Sequence, residues 1–438
     1  MKATIAIDAL TYGPAGIGRT PEGKAVFVKG AAPGDVVRVR LEDEKKSFST
    51  GHIVELMQEG PSRVRATCPY AGSCGGCPWQ HVAYDAQLEA KRGNVVSALS
   101  RIGHFDVGFA EAIVEPCRPS KRQMGYRNKL ELSTMRDVRG GLDVGMMREG
   151  SHDILPIGAC PLAHTAIQKA PKALRGALRY LEGDRDLGIY RIGVRHSVRT
   201  KSTEIALWTP AGGFPRAAAA KTLSSALKAT SIVRVMADPG KQRKIKGVEV
   251  LSGAGHWCER LGGFDFKVSA PSFFQINTAQ AETLVDVALA GLDMGEESVV
   301  ADLYCGVGTF TLPLADAAGE VIAVESAASS VRDLRRNADD AHAWIDILGG
   351  DSARELAGMG HLDALVVDPP RAGLAESVPA DIAKAAPDRI AYISCNPSTW
   401  ARDAARLDGC GYRLARVVPV DLFPQTYHCE LVSIFCRG

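Results

Sequence analysis

The 438-residue sequence has no apolar run near the roughly 20 residues that a membrane span requires. A helical membrane protein is therefore not expected. The first residues, MKATIAIDALTYGPAG, alternate like a strand and lack the apolar core of a cleavable leader. The expected location is the cytosol, with no membrane partner. An excess of charge of one sign is also missing: 52 Lys and Arg face 50 Asp and Glu, for a net charge of +2. Bulk charge neither demands nor excludes a nucleic-acid partner, so the placement of charges must decide. There is no internal repeat and no low-complexity tract, which removes solenoids and disordered tails from consideration.

What is present reads as globular, with 46% hydrophobic and 23% charged residues. At roughly 150 residues per domain, the length suits two to four domains. The 11 cysteines, in a reducing compartment, do not suggest a disulfide framework. Metal ligation, catalysis and burial explain them better.

Residues 1–60 read as short strands, Thr4 to Leu10, Lys24 to Lys29, Asp35 to Glu42 and Thr50 to Met57, separated by YGPAGIGRTPEG, GAAPGD and EDEKKS turns. Such spacing predicts a small β-barrel. The PGD turn and Gly-rich first loop resemble a TRAM domain, an oligonucleotide-binding type of barrel. Residues 61–265 form a central α+β domain that carries a cysteine cluster, a helical stretch from Tyr84 to Ile102, and an Ala-rich helix from Arg216 to Ala229. Residues 266–438 alternate apolar strands with helical segments, which argues a parallel α/β sheet.

In that last region, the strand Val299 to Tyr304 runs into Cys305-Gly306-Val307-Gly308-Thr309-Phe310 and a helix. Glycines there let a ligand approach the backbone, and the helix N-terminus adds partial positive charge. The second strand ends at Glu325, 19 residues after Gly306, where an acid can accept from ribose hydroxyls. The third ends near Asp351, beside the expected adenine edge. The turn lacks the third glycine that a pyrophosphate favours, so an adenosyl ligand without phosphates fits better than a dinucleotide.

The fourth strand, Ala364 to Val367, ends in Asp368-Pro369-Pro370-Arg371, and the fifth, Arg389 to Ile393, in Ser394-Cys395-Asn396-Pro397. Ligands of open parallel sheets bind outside the strands' carboxyl ends. Two further strands, Tyr412 to Asp421 and Glu430 to Cys436, are joined by a connection too short for a crossover helix, which predicts an antiparallel hairpin. Glu430 then starts at the edge where Cys395 ends.

SFFQIN at 272–277, DLYCGVGTF, DPPRAG, ISCNP and QTYHCE stand in the order of the RNA uracil-5-methyltransferase family, and the carboxyl half resembles it over about 160 residues. The resemblance implies a Rossmann-like α/β methyltransferase domain with a mixed seven-stranded sheet. It implies S-adenosylmethionine contacts from Gln275, Tyr304, Glu325 and Asp368, with Thr309 and Asp351 contributing. Thr309 stands where family members often carry asparagine. Cys395 is implied as nucleophile and Glu430 as base. A thiolate on carbon 6 of uracil makes carbon 5 nucleophilic, and a base must then remove the carbon-5 proton.

Cys68, Cys74 and Cys77, spaced C-x5-C-x2-C, with a distant fourth cysteine, suit iron–sulfur or zinc. A second C-x2-C, usual in zinc ribbons, is absent. The spacing resembles the [4Fe–4S] site of the family's ribosomal-RNA branch, with Cys160 as fourth ligand and Cys117 as competitor. That analogy favours 23S ribosomal RNA over transfer RNA as partner. The chain is expected to be a monomer. Three basic groups are candidate RNA contacts: Lys121, Arg122, Tyr126, Arg127 and Lys129; Lys241, Arg243, Lys244 and Lys246; and Arg191, Arg195 and Arg199. Each could equally be a solvated face. An amino-methyltransferase, a cytosine-5 enzyme and a non-catalytic RNA-binding protein are the rivals. The first needs no cysteine, the second would carry another cysteine in the DPPRAG loop, and the third need not retain Glu325, Cys395 and Glu430.

Overall fold

The computed structural model describes residues 2–240 and 244–438. The chain forms two compact units, one of residues 1–123, 369–379 and 392–438, the other of 124–368 and 380–391.

The first unit opens with a closed barrel of β1 (Lys2–Leu10), β2 (Ala15–Arg19), β3 (Ala25–Lys29), β4 (Val36–Glu44) and β5 (Phe48–Gln58), in the order β1-β2-β3-β5-β4. Alternation drives it: Ile5, Ile7, Val26, Val28, Val37 and Val39 face inward and are fully or almost fully buried. β2 lies inside a stretch expected to be all turn. Its pattern is hidden because Gly16 and Gly18 occupy the inward positions, where side chains do not fit: a Cβ on Gly18 would stand 2.0 Å from the Ala6 carbonyl oxygen. Asp35, of the PGD turn, is buried and accepts from the amides of Ala32 (2.7 Å) and Gly60 (2.9 Å) and from Arg63. Burial disfavours its charge, but these donors outweigh it and hold the carboxyl below its usual value.

The cysteine segment follows as turns, then α1 (Tyr84–Arg101) and α2 (Val107–Ile113). Trp79, fully buried, ties this segment to the barrel's first loop through its indole N–H to the Gly13 carbonyl, 3.0 Å.

The second unit holds a mostly antiparallel sheet of β6 (Lys129–Arg136), β7 (Leu142–Met147), β8 (Ile154–Pro156), β9 (Arg191–His196), β10 (Thr203–Thr209), β11 (Ser231–Ala237) and β12 (Ile245–Gly253), ordered β12-β11-β10-β9-β6-β7-β8. Helices α3 (Thr165–Gln168), α4 (Ala170–Glu182) and α5 (Arg216–Ala226) connect its strands, and a hairpin, β13 (Trp257–Leu261) and β14 (Phe264–Val268), follows.

After α6 (Thr278–Leu292) comes the alternating region: β15 (Val299–Leu303), α7 (Thr311–Ala317), β16 (Glu320–Glu325), α8 (Ala328–Ala341), β17 (Asp346–Gly349), α9 (Ser352–Leu356), β18 (Ala364–Val367), α10 (Val378–Ala385), β19 (Arg389–Ser394), α11 (Pro397–Gly409), β20 (Tyr412–Val420) and β21 (Glu430–Arg437). The strand order is β17-β16-β15-β18-β19-β21-β20. β15 is parallel to β16 and β18, and β20 pairs antiparallel with β21, with Val420 opposite Glu430. This sheet is mixed and Rossmann-like. Among the described residues, no helix is long and apolar enough to cross a membrane.

Candidate active site

In the second unit, the glycine turn leaves β15 through strained backbone. Tyr304 has φ +63° and Gly306 φ +60°. A left-handed tyrosine is uncommon and persists only where its surroundings enforce it. Glu325, at the end of β16, accepts from the Gly306 amide (3.0 Å) and the Ala327 amide (2.6 Å). The acid thus braces the turn to the second strand. Gln275 is buried, and its carbonyl accepts from Asn128 Nδ2 at 2.9 Å. Arg195 donates to the carbonyls of Ser269 (3.0 Å) and Ser272 (2.5 Å), fixing the start of the same segment.

Asp351 caps α9, accepting from the amides of Ala353 (3.1 Å) and Arg354 (3.2 Å). Its side chain therefore already has a local structural task. Thr309 is half-buried in the turn, one residue after Gly308. Asp368 follows β18, and its amide donates to the Leu303 carbonyl at 3.3 Å. Burial pushes its carboxyl up to about 7, although part of the residue still meets solvent.

Asp302, not singled out in the sequence, lies at the heart of this half. It is fully buried; Thr311 donates to one carboxylate oxygen (2.6 Å) and the other has no partner among the described residues. Burial raises its carboxyl to about 8, opposed by Thr311 and reinforced by Asp368 and Glu325. Unfolded, the group ionises near 3.8, so between about pH 4 and 8 only the folded protein keeps the proton. The stability it confers is full below the unfolded value and is lost as pH rises through 8. Asp302→Asn keeps an acceptor for Thr311 without the titration. The melting temperature of the variant minus that of wild type should climb from about pH 5 to about pH 8.5. A constant difference would show that Asp302 does not hold its proton.

In the first unit, Cys395 sits at the crest of a turn that opens α11. Asn396 caps that helix by accepting from the Ser398 amide (3.1 Å), and its own amide donates to Ser394 Oγ (3.1 Å). Thr399 and Asn396 donate to the Arg371 carbonyl, binding the Cys395 turn to the DPPRAG loop. That loop is tied down further by Asp403, buried, which accepts from the Leu374 amide (2.8 Å) and Tyr392 hydroxyl (2.9 Å). Gly373, φ +77°, is required beside it, since a Cβ would stand 2.3 Å from the Asp403 carboxylate.

Glu430 is buried at the start of β21. The connection before it is held by α1: Gln87 and Gln425 exchange hydrogen bonds at 2.9 and 3.2 Å. Tyr12, from the barrel's first loop, reaches the same place. Its hydroxyl donates to the Cys395 carbonyl at 3.0 Å, and its ring meets Tyr427 edge-on at 5.6 Å. Burial first, then the charges of Cys395, Cys429 and Glu430, keep this hydroxyl protonated far above the ordinary range. Nothing in the local sequence announces Tyr12, which bonds across 383 positions.

The cysteines divide. Cys68, Cys74 and Cys77 are half-buried in one loop, and Gly76 leaves room beside Cys74 Sγ, which would be 3.5 Å from a Cβ there. Cys160 is buried in the second unit, where its amide donates to the Gln168 carbonyl at 2.9 Å. Cys117 is buried, and Cys429 Sγ donates to the Glu430 carbonyl at 3.1 Å; the Cys429 thiol is pushed up first by its interaction with Cys117 and second by burial.

The basic groups divide as well. Lys121 and Arg122 are exposed, whereas Tyr126 is buried. Lys129 and Arg191 both pair with Glu131, and Arg191 also lies 4.7 Å over Trp208. Arg195 is buried and Arg199 pairs with Glu282. The expected third basic surface is therefore structural, because these strands place its arginines against carboxylates and carbonyls. Lys246 pairs with Asp238 (2.6 Å), Lys244 is exposed, and Lys241 and Arg243 lie outside the described residues.

Residues 217–349 and 358–437 match the tRNA (Uracil-5-)-methyltransferase family, and residues 3–54 match the TRAM domain. An uncharacterized RNA methyltransferase of Gloeobacter violaceus is 39% identical over 99% of this chain and 96% of its own length. Another, from Halalkalibacterium halodurans, is 32% identical over 98% and 96%. The tRNA (uracil-54, C5)-methyltransferase of Pyrococcus abyssi, solved with S-adenosyl-L-homocysteine, superposes with a TM-score of 0.76 at 27% identity, over 99% of each chain.

Proposed function

Because this chain belongs to the RNA uracil-5-methyltransferase family and is an S-adenosylmethionine-dependent RNA methyltransferase, we propose that it methylates carbon 5 of a specific uridine through a covalent cysteine adduct. The observation that carries this reading is that Cys395 directly follows β19 and Glu430 opens β21, two strands adjacent in the sheet, with both residues in one unit. Bound S-adenosylmethionine supplies the electrophilic methyl group. Cys395 adds as thiolate to carbon 6, and the electron pair moves to carbon 5, which takes the methyl group. Glu430 then removes the carbon-5 proton, the ring double bond re-forms, and the Cys395 thiolate leaves. The base must leave its stack to be reached, so an unpaired or looped RNA segment is the substrate.

Gln275, Tyr304, Thr309, Glu325, Asp351 and Asp368 are the proposed cofactor contacts. Glu325 is the sharpest test. Glu325→Ala removes a charged acceptor for the ribose and also the brace on Gly306. Such hydrogen bonds are worth about 1.5–3 kcal/mol, so S-adenosylmethionine affinity should fall roughly 10- to 150-fold. Unchanged affinity by calorimetry would remove Glu325 from the site.

Cys68, Cys74, Cys77 and Cys160 are the proposed ligands of a [4Fe–4S] cluster. Three thiols in a loop without helix or strand suit a four-thiolate group, and Cys117 is already engaged with Cys429. The cluster would fix the loop rather than carry electrons. Anaerobically purified protein should be brown, and the colour should survive loss of Cys117 but not of Cys160. Stoichiometric zinc without iron would overturn the assignment.

The proposed target is 23S ribosomal RNA, from the cysteine spacing. Transfer RNA is the second reading, favoured by the Pyrococcus abyssi neighbour, a tRNA (uracil-54, C5)-methyltransferase. Mapping 5-methyluridine in both RNAs from a strain lacking this protein decides between them.

A further inference from the structure

A cavity of about 610 Å³ lies in the first unit between the barrel and α1. Its volume falls within the range of small-molecule sites, roughly 300–1,000 Å³. We propose that it binds the base of a nucleotide flanking the target uridine, and that this base is unpaired and carries an exocyclic amino group. The proposal rests on the function proposed above and deepens it.

Position is the first argument. Tyr12 forms part of the cavity wall, and its hydroxyl is 3.0 Å from the Cys395 carbonyl oxygen. Ser398, in the first turn of α11, lines the same cavity. Neighbouring bases of a strand stack about 3.4 Å apart. A base held within one tyrosine's length of the nucleophile therefore belongs to the target or to a close neighbour. The target must meet the thiol itself, so the cavity is left for the neighbour.

Lining chemistry is the second argument. Phe27 offers a ring for stacking, and its orientation is set by an edge-on contact with Phe48 at 5.6 Å. Asp8 and Glu89 present two exposed carboxylates, against one cation, Arg101. Two acids repel phosphate, so the lining does not suit the RNA backbone. Carboxylates instead accept from the amino groups of cytosine, adenine or guanine, which uracil lacks. Asn94, also in the lining, has a buried side-chain nitrogen with no hydrogen-bond partner among the described residues. Buried donors are rarely left so, and a ring nitrogen or carbonyl of a bound base would satisfy this one. Acceptors beside a donor describe an amino-bearing base edge.

The test uses the full-length protein and a synthetic oligoribonucleotide spanning the mapped site, with 5-fluorouridine at the target to trap the adduct. Each flanking nucleotide is replaced in turn by an abasic residue and by uridine. With wild-type protein, one flanking position should slow adduct formation about 10-fold when abasic, and nearly as much when uridine. Asn94→Ala should slow the intact oligonucleotide similarly and lose its sensitivity to that position. Glu89→Gln, at an exposed side chain, should lose discrimination against uridine. S-adenosylmethionine affinity should stay unchanged in both. If no flanking position matters, or if both variants keep the wild-type pattern, the subsite is wrong while the function stands. If wild-type protein forms no adduct with any RNA, the proposed function fails, and the subsite with it.

Discussion

Cys395→Ala protein should bind RNA and S-adenosylmethionine but transfer no methyl group, a loss of roughly 10,000-fold or more. Without the thiolate, carbon 5 of uracil never becomes nucleophilic, so no remaining group can substitute. Glu430 acts later. Glu430→Gln should still add to carbon 6 and still methylate, then stall as a cysteine-linked, methylated RNA, because the carbon-5 proton has nowhere to go. Wild-type protein should stall likewise on RNA containing 5-fluorouridine, since a base cannot take fluorine as a cation. Denaturing gels resolve the trapped band in each case. If Cys395→Ala keeps methylating and Glu430→Gln traps nothing, both assignments fall and an amino-methyltransferase becomes the better reading.

Lys91→Ala should destabilise the first unit by about 3–5 kcal/mol. Lys91 and Asp421 form an ion pair whose side chains have no exposed surface. Lys91 also donates to the Phe423 carbonyl (3.1 Å), and the Tyr84 hydroxyl donates to Asp421 (2.7 Å). Removing the lysine leaves a buried carboxylate without this cation. The cost reaches the site because Asp421 follows Val420, whose partner across the hairpin is Glu430. Replacing both charges, as Lys91→Met with Asp421→Asn, should recover most of the loss, since desolvation of the pair offsets much of its attraction. Denaturant midpoints of the three proteins measure this. A Lys91→Ala protein as stable as wild type would mean that water reaches the pair.

The sequence by itself determined where the strands of the carboxyl half begin and end, and that the last two form a hairpin. Apolar runs and the polar turns that stop them are local signals, read within a few residues. The same locality explains what was hidden. β2 carried no alternation because glycines fill its inward positions. Arg191, Arg195 and Arg199 looked like a basic face, yet each is held by a carboxylate, a carbonyl or an aromatic ring brought from another element. Asp302 read as one more strand residue, and only complete burial makes its carboxyl keep a proton near neutrality. Only the tertiary structure brought Tyr12 of the barrel to the Cys395 turn, and only closure of the barrel against α1 created the cavity beside it. Pairing partners and burial depend on chain segments hundreds of residues apart, so no window of sequence contains them.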